Sequence, residues 1–301
     1  MTQASLPTSL LPDAILPDSR TPGGLPGHGV AVQGNRILDL GRREELVERN
    51  PQAITKVLRG AVLMPGLVNA HQHGRLVSSL QLGLEDDYLE SFMVKSRDRL
   101  FLDPELNARL VCASFLAGGV TTAVQTNTPL GTGDYEREIR SMISAYDGAG
   151  IRAAVAVGCM DRGHVVYRDD LEETFVAGLP SEVGVLATRP ARPIYAGNSA
   201  NTIALAKALL QDYGRHPLIS IGYGPAGPQW ASDDLLRAIA THASEDGLFV
   251  HFHGLESIAQ CVAVAKIYPE GFLARLKKLG LANSRTSIGH ADFHRSCGLD
   301  D

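Results

Sequence analysis

Beyond residue 66 the chain alternates between short apolar runs and longer segments with helical spacing. The runs cover residues 67–71, 120–126, 151–158, 218–223, 248–253 and 287–291. The helical segments lie near 104–117, 134–148, 199–213, 233–245, 256–267 and 270–279. Several of these carry clear start signals. Asp103-Pro104-Glu105 supplies an N-cap acceptor, a proline at the first helical position and an acid in the first turn. Asp134 before Glu136, and Ser232 before Asp233-Asp234, repeat that logic, while Ala117-Gly118-Gly119 and Gly148-Ala149-Gly150 supply C-terminal stops. Strand then helix, repeated about six times, predicts an α/β fold with a parallel sheet and helical crossovers.

Residues 1–64 follow a different pattern. The first 25 are rich in Pro, Ser and Gly, with Leu10-Leu11-Pro12 and Ile15-Leu16-Pro17 islands. They read as an irregular lead-in with one edge strand. Residues 29–41 alternate apolar and polar on both sides of Gly34-Asn35, a favoured turn dipeptide, and predict a hairpin. A short helix around 44–49 and a strand near 61–64 complete a small β-rich module.

A doubly wound sheet and a (β/α) barrel both fit the later pattern. No Gly-x-Gly-x-x-Gly turn follows the first strand, which weighs against a nucleotide-binding version. The chemistry-bearing residues favour the barrel, because they fall at the ends of separate strands. His71 and His73 stand at i and i+2, so on an extended strand they point to the same side. Neutral imidazole is a common ligand for catalytic metals, and a same-side pair at a strand exit is half of such a site. His251-Phe252-His253-Gly254-Leu255-Glu256 places a second histidine at a strand exit, with a carboxylate three residues on. A carboxylate beside an activated water can take its proton and pass it to a leaving group. The next strand also ends in histidine, His290, which could hydrogen-bond developing charge on a substrate. Gln229 and Trp230 follow the fourth strand, where they could contact a ring amide and wall the pocket; a structural loop accounts for them equally well. His251 lies one layer deeper than His253 and reads as a core or supporting residue. Glu85-Asp86-Asp87 reads as a solvated acidic run and His294 as a loop residue, and His164, His216 and His242 receive no role.

Composition narrows the function classes. A hydrophobic content of 44% supports a sizeable core, and a net charge of −5 with 20% charged residues gives no basic surface for nucleic acid or membrane. The N-terminus shows no secretory pattern, and no apolar run is long enough to span a bilayer. The four cysteines, Cys112, Cys159, Cys261 and Cys297, form no pairing framework and read as reduced thiols of a cytoplasmic protein.

The stretch Met64-Pro65-Gly66-Leu67-Val68-Asn69-Ala70-His71-Gln72-His73 resembles the first-strand signature of the amidohydrolase superfamily. The chain is most similar there to the cytosine deaminase and chlorohydrolase-like branch, with His253-x-x-Glu256 and His290 matching the fifth- and sixth-strand motifs in order. The resemblance implies a metal-activated water that attacks an electrophilic carbon. It implies His71, His73 and His253 as ligands of one divalent ion, Zn²⁺ or Fe²⁺, Glu256 as the proton shuttle and His290 as an electrostatic residue. The substrate class it implies is a small nitrogen heterocycle, deaminated by hydrolysis.

Two departures shape the expectation. The fourth strand, Leu218-Ile219-Ser220-Ile221-Gly222-Tyr223, lacks the lysine of binuclear relatives, which implies a mononuclear site. The family's last ligand is an aspartate ending strand eight, and Asp300 and Asp301 follow strand six too closely to be that residue. The expected architecture is therefore an incomplete TIM barrel of the (β/α)8 type with about six strands, cut short at its C-terminus. Residues 1–64 would form part of a β-sandwich and 65–301 the barrel. Two alternatives stay open: a cyclic amide hydrolase using the same water and glutamate, and an inactive remnant prone to oligomerise through open barrel edges. A homo-oligomer also remains among the expectations.

Overall fold

The computed structural model describes residues 6–96, 102–162, 169–188 and 195–293. The chain divides into two compact units, Met1–Leu67 and Val68–Asp301.

The first unit is built on strands β1 (Thr8–Ile15), β2 (Leu25–Pro26), β3 (His28–Gln33) and β4 (Arg36–Arg42), helix α1 (Arg43–Arg49) and strand β5 (Ile54–Leu63). The expected hairpin is β3–β4, closed at Gly34-Asn35 with Gln33 opposite Arg36. Leu46 of α1 packs with Leu11 and Ala31 in a small core. The lead-in strand is not an edge. β1 is interior, antiparallel to β3 on one side and parallel to β5 on the other. Pro12 has no N–H for a ladder and would ordinarily be confined to an edge. Here a register shift between Pro12 and Ala14 absorbs it, and the Asp13 carboxylate accepts the Gly60 N–H at 2.7 Å. β5 is also longer than the strand expected near 61–64, because most of its side chains are exposed and leave no apolar alternation to read.

The second unit contains six parallel strands in the order β11-β10-β9-β8-β7-β6. These are β6 (Leu67–Gln72), β7 (Val120–Asn127), β8 (Arg152–Cys159), β9 (Ile219–Pro225), β10 (Phe249–Gly254) and β11 (Thr286–His290). Each matches an expected apolar run. Between them lie α2 (Leu89–Lys95), α3 (Pro104–Ala117), α4 (Tyr135–Ala149), α5 (Asp169–Ala177), α6 (Ser181–Thr188), α7 (Ser199–Tyr213), α8 (Asp233–Asp246), α9 (Ile258–Ile267) and α10 (Phe272–Lys278). The caps read from sequence form as expected. Asp103 accepts from the N–H groups of Glu105 and Leu106, Asp134 from Arg137 and Ser232 from Leu235. The short helices α2, α5 and α6 were not foreseen.

Alternate strand residues face the helices. Val155 and Val157 of β8, Ile221 and Tyr223 of β9, and Val250 and Phe252 of β10 join one core with Ile139, Leu209, Leu235 and Ile239. The intervening positions are small on β8 and β9 (Ala154, Ala156, Ser220, Gly222) and histidine on β10. Six parallel strands with interleaved helices form the α/β barrel wall expected from sequence. No helix among the described residues is long and apolar enough to cross a membrane.

Candidate metal centre

The strand alternation decides which side chains meet. Val250 and Phe252 are buried under the helices, so His251 and His253 take the opposite face; they are 3% and 6% exposed. His71 reaches them from β6, although β6 stands at the other end of the strand order. Its ring centroid lies 4.9 Å from those of His251, His253 and His290 alike, and 5.1 Å from that of His73. His253 stacks between His73 at 5.2 Å and His290 at 5.4 Å. The sheet is therefore curled so far that side chains of its first and last strands touch across the interior.

The donor atoms of His71, His253 and His290 all lie within 4.8 Å of one another. His71 Nε2 and His253 Nε2 are buried and have no hydrogen-bond partner. A buried polar atom without a partner costs stability, and two such atoms aimed into one cluster fit an electron-pair acceptor such as a metal ion. The other ring nitrogens are engaged. His253 Nδ1 lies 3.5 Å from the Pro225 carbonyl, His73 Nδ1 lies 2.6 Å from Thr128 Oγ1, and His71 Nδ1 lies 2.6 Å from His251 Nε2. Burial keeps these rings neutral. It pushes His253 down to about 2, His73 to about 3 and His71 to about 4; the repulsion that crowded imidazoles would feel if protonated adds to each shift, and the Arg75 guanidinium adds to that of His73. Burial lowers His251 as well. Neutral imidazoles with free nitrogen lone pairs are the donor set that a divalent transition metal takes.

Glu256 stands on the turn after β10. Its carboxylate approaches His290 Nε2 to 3.7 Å. Helix α9 begins at Ile258 behind its Ser257 cap, so Glu256 is outside the first helical turn and a helix dipole does not explain it. Three backbones here take positive φ without being glycine: Leu255 at 56°, His290 at 67° and Ala291 at 58°. Such conformations persist only where the surroundings enforce them, and they cluster at functional sites. The two loops are stitched together, with Ala291 N–H donating to the Gly254 carbonyl at 2.9 Å.

Gln229 is fully enclosed. Its Oε1 accepts from Gln260 Nε2 at 2.8 Å, its Nε2 has no partner, and Gln260 Oε1 in turn accepts the Glu256 N–H at 2.5 Å. Trp230 is buried in a side cluster with Met160 and Ala226. Glu85, Asp86 and Asp87 are exposed, and His216 and His242 sit beside Asp147 and Glu245. Cys112, Cys159 and Cys261 are buried and form no disulfide among the described residues. His164, His294 and Cys297 lie outside the described residues. Sequence reasoning missed Thr128, Ser287, Gln260 and a buried network behind the first histidine pair. In that network Gln72 donates to Gln125 and to Tyr146 Oη, and Tyr146 donates to Gln125 at 2.8 Å. Thr128, Ser287 and the network are set by partners distant in sequence, and no local pattern announces them; Gln260 had a local signal, the Ser257-x-x-Gln260 capping box, but its bond to Gln229 spans 31 residues.

The sequence pattern of the amidohydrolase family matches residues 62–291. The chain belongs to the amidohydrolase family. It is similar to a 5-methylthioadenosine/S-adenosylhomocysteine deaminase of Syntrophobacter fumaroxidans, 26% identical over 271 residues, covering 88% of this chain and 52% of that protein. A 5'-deoxyadenosine deaminase of Methanosarcina mazei is 24% identical over 274 residues, covering 88% and 54%. The chain spans about half the length of these curated relatives. Among solved structures, zinc-complexed atrazine chlorohydrolase of Arthrobacter aurescens superposes with a TM-score of 0.72 at 20% identity, covering 94% of this chain and 60% of that one. An adenosine deaminase of Xanthomonas campestris with bound zinc gives 0.66 at 21%, covering 93% and 56%. This likeness carries the barrel fold. The amidohydrolase chain thus shares the parallel barrel wall of these structures.

Proposed function

We propose that this amidohydrolase chain carries the centre of a metal-dependent hydrolase that deaminates a small nitrogen heterocycle. One observation carries the reading: the unpartnered Nε2 atoms of His71 and His253 converge with His290 beside the carboxylate of Glu256. The names of the relatives support the substrate class, since they act on adenosine derivatives, and a triazine enzyme shares the fold.

His71 and His253 would hold one divalent ion, with His73 as third ligand through Nε2 while Thr128 holds its Nδ1. His290 is the competing third donor, and in the present geometry it is the nearer one. Zinc is the proposed ion, in line with the zinc-bound fold relatives; ferrous iron suits the same imidazoles. Bound there, the ion would lower the pKa of a water and so supply a nucleophile at neutral pH. Glu256 takes a proton from the attacking water and delivers it to a ring nitrogen, then takes the remaining hydroxyl proton of the tetrahedral adduct and delivers that one to the leaving amine. His290, within reach of Glu256, donates to the oxygen on which charge develops. The Gln229–Gln260 pair fixes the Glu256 backbone, and the free Gln229 Nε2 is the group left to bind substrate or water. Buried thiols and the lack of a long apolar helix among the described residues suit the cytoplasm.

The test is ammonia release from cytosine, 5'-deoxyadenosine, methylthioadenosine and aminotriazines, with zinc present and after chelation. Zinc-dependent ammonia that vanishes in Glu256→Gln supports the proposal. Product without ammonia moves the assignment to ring opening. Bound zinc without turnover of any of these compounds refutes the deaminase reading for this chain.

A further inference from the structure

Ser287, His251 and His71 form a line of side chains from β11 through β10 to β6. His251 Nδ1 lies 2.7 Å from Ser287 Oγ, and His251 Nε2 lies 2.6 Å from His71 Nδ1. A neutral imidazole carries one proton, so these two bonds are not independent. If the His71 proton sat on Nε2, then His251 would donate to His71 and Ser287 would donate to His251. That arrangement would leave a buried N–H pointing among other imidazoles with nothing to accept it. In the opposite arrangement His71 Nδ1–H donates to His251 Nε2, and His251 Nδ1–H donates to Ser287 Oγ. The bare lone pair then falls on His71 Nε2, the atom that is buried without a partner.

The neighbouring strand is shaped around this line. Ser287 stands opposite His251 in the β10–β11 register, and Gly289 stands opposite His253. A Cβ at Gly289 would come within 3.0 Å of His71 Nδ1 and 3.5 Å of His251 Nε2. The glycine leaves room where the two rings meet, and one register places both the serine and the gap.

We propose that Ser287 and His251 are positioning residues that hold His71 in its Nδ1–H tautomer and aim its Nε2 at the metal. The inference rests on His71 being a ligand. Residues that hydrogen-bond the far nitrogen of a ligating histidine fix its tautomer and raise its basicity. Because the three residues lie on three strands, the relay also makes the orientation of His71 depend on how β6 approaches β10 and β11.

The experiment measures zinc affinity of the 301-residue chain by competition with a chromophoric chelator, alongside the visible absorption of the Co²⁺-loaded protein. His251→Ala is expected to weaken zinc binding about 10- to 100-fold, with Ser287→Ala weaker in effect. His251→Gln should retain most of the affinity and the Co²⁺ spectrum, because its amide oxygen accepts from His71 and its amide nitrogen donates to Ser287. Ser287 is exposed, so its alanine variant carries the test if His251→Ala does not fold. Unchanged zinc affinity in both alanine variants overturns the relay. Equal losses in His251→Gln and His251→Ala overturn it too, since packing alone would then explain them. His71→Ala separates the two readings. If it keeps zinc, the metal centre itself is misassigned; if it loses zinc while the His251 and Ser287 variants do not, only the relay fails.

Discussion

Replacing Gly74 by alanine tests the support behind the first histidine pair. Gly74 follows His73 directly and has φ +65°. Its N–H donates to Gln72 Oε1, and its carbonyl accepts from Asn107 Nδ2 at 2.5 Å. A Cβ here would lie 2.5 Å from Met142 Cε and 2.7 Å from Gln125 Nε2. The positive φ costs about 1–2 kcal/mol for an L residue. Forcing a methyl into a filled core adds about 1–3 kcal/mol. Stiffening the unfolded chain returns about 0.4–1 kcal/mol. The net destabilisation is roughly 1–5 kcal/mol. Gly119 provides the control, because it has φ +77° but open space where a Cβ would go. Gly119→Ala should cost at most about 1.6 kcal/mol. Urea unfolding gives both values, and thermal melts should separate them, at about 2–4 °C per kcal/mol for a unit of this size. Zinc affinity should fall only in Gly74→Ala, because the intruding methyl displaces the strand end bearing His71 and His73. Equal stability of the two variants would refute the packing argument.

Glu256→Gln should leave folding and metal binding intact and lower kcat about 10²- to 10⁴-fold, read by ammonia release. The metal-free chain should lose stability as pH falls below about 6.5. In the unfolded state the histidines protonate there, whereas the folded pKa values of about 4, 3 and 2 for His71, His73 and His253 keep them neutral. The unfolded state then binds more protons, so stability is present above the unfolded pKa and declines through the window between the two; urea midpoints from pH 8 to pH 5 measure it, and a flat profile would contradict it. Gln260→Leu strips partners from Gln229 Oε1 and the Glu256 N–H, at about 1–3 kcal/mol and with a drop in kcat as the Glu256 turn loosens; an unchanged kcat would remove the pair from the site.

The barrel wall was legible because each strand covered by helices is a compact apolar run, and because Asp103, Asp134 and Ser232 announce the helices that follow. The histidines were legible for the same reason, since period-two alternation fixes which side His71, His251 and His253 face. What failed to show was everything set by distant partners. β1 carries a proline that argues for an edge, and only the bulge beside it reveals an interior strand. β5 is largely exposed and has no alternation to find. His251 read as a supporting residue, but its partners are 36 and 180 positions away, so no local spacing could name Ser287 and His71. Gln229 drew notice as a group for a ring amide, while its bond to Gln260 appears only once α9 packs beside the loop.

The separation of 180 residues between His71 and His251 also has a consequence for biosynthesis. Contacts so far apart in sequence form late, after the intervening chain has been made and packed. A nascent chain that has emerged only through β9 presents His71 and His73 but no third imidazole from β10 or β11, and it would hold an ion weakly. Tight loading therefore has to follow closure of the wall. If the proposed ligands hold an ion, a population sorted by bound metal would be sorted by whether the earliest and latest of these strands had found each other.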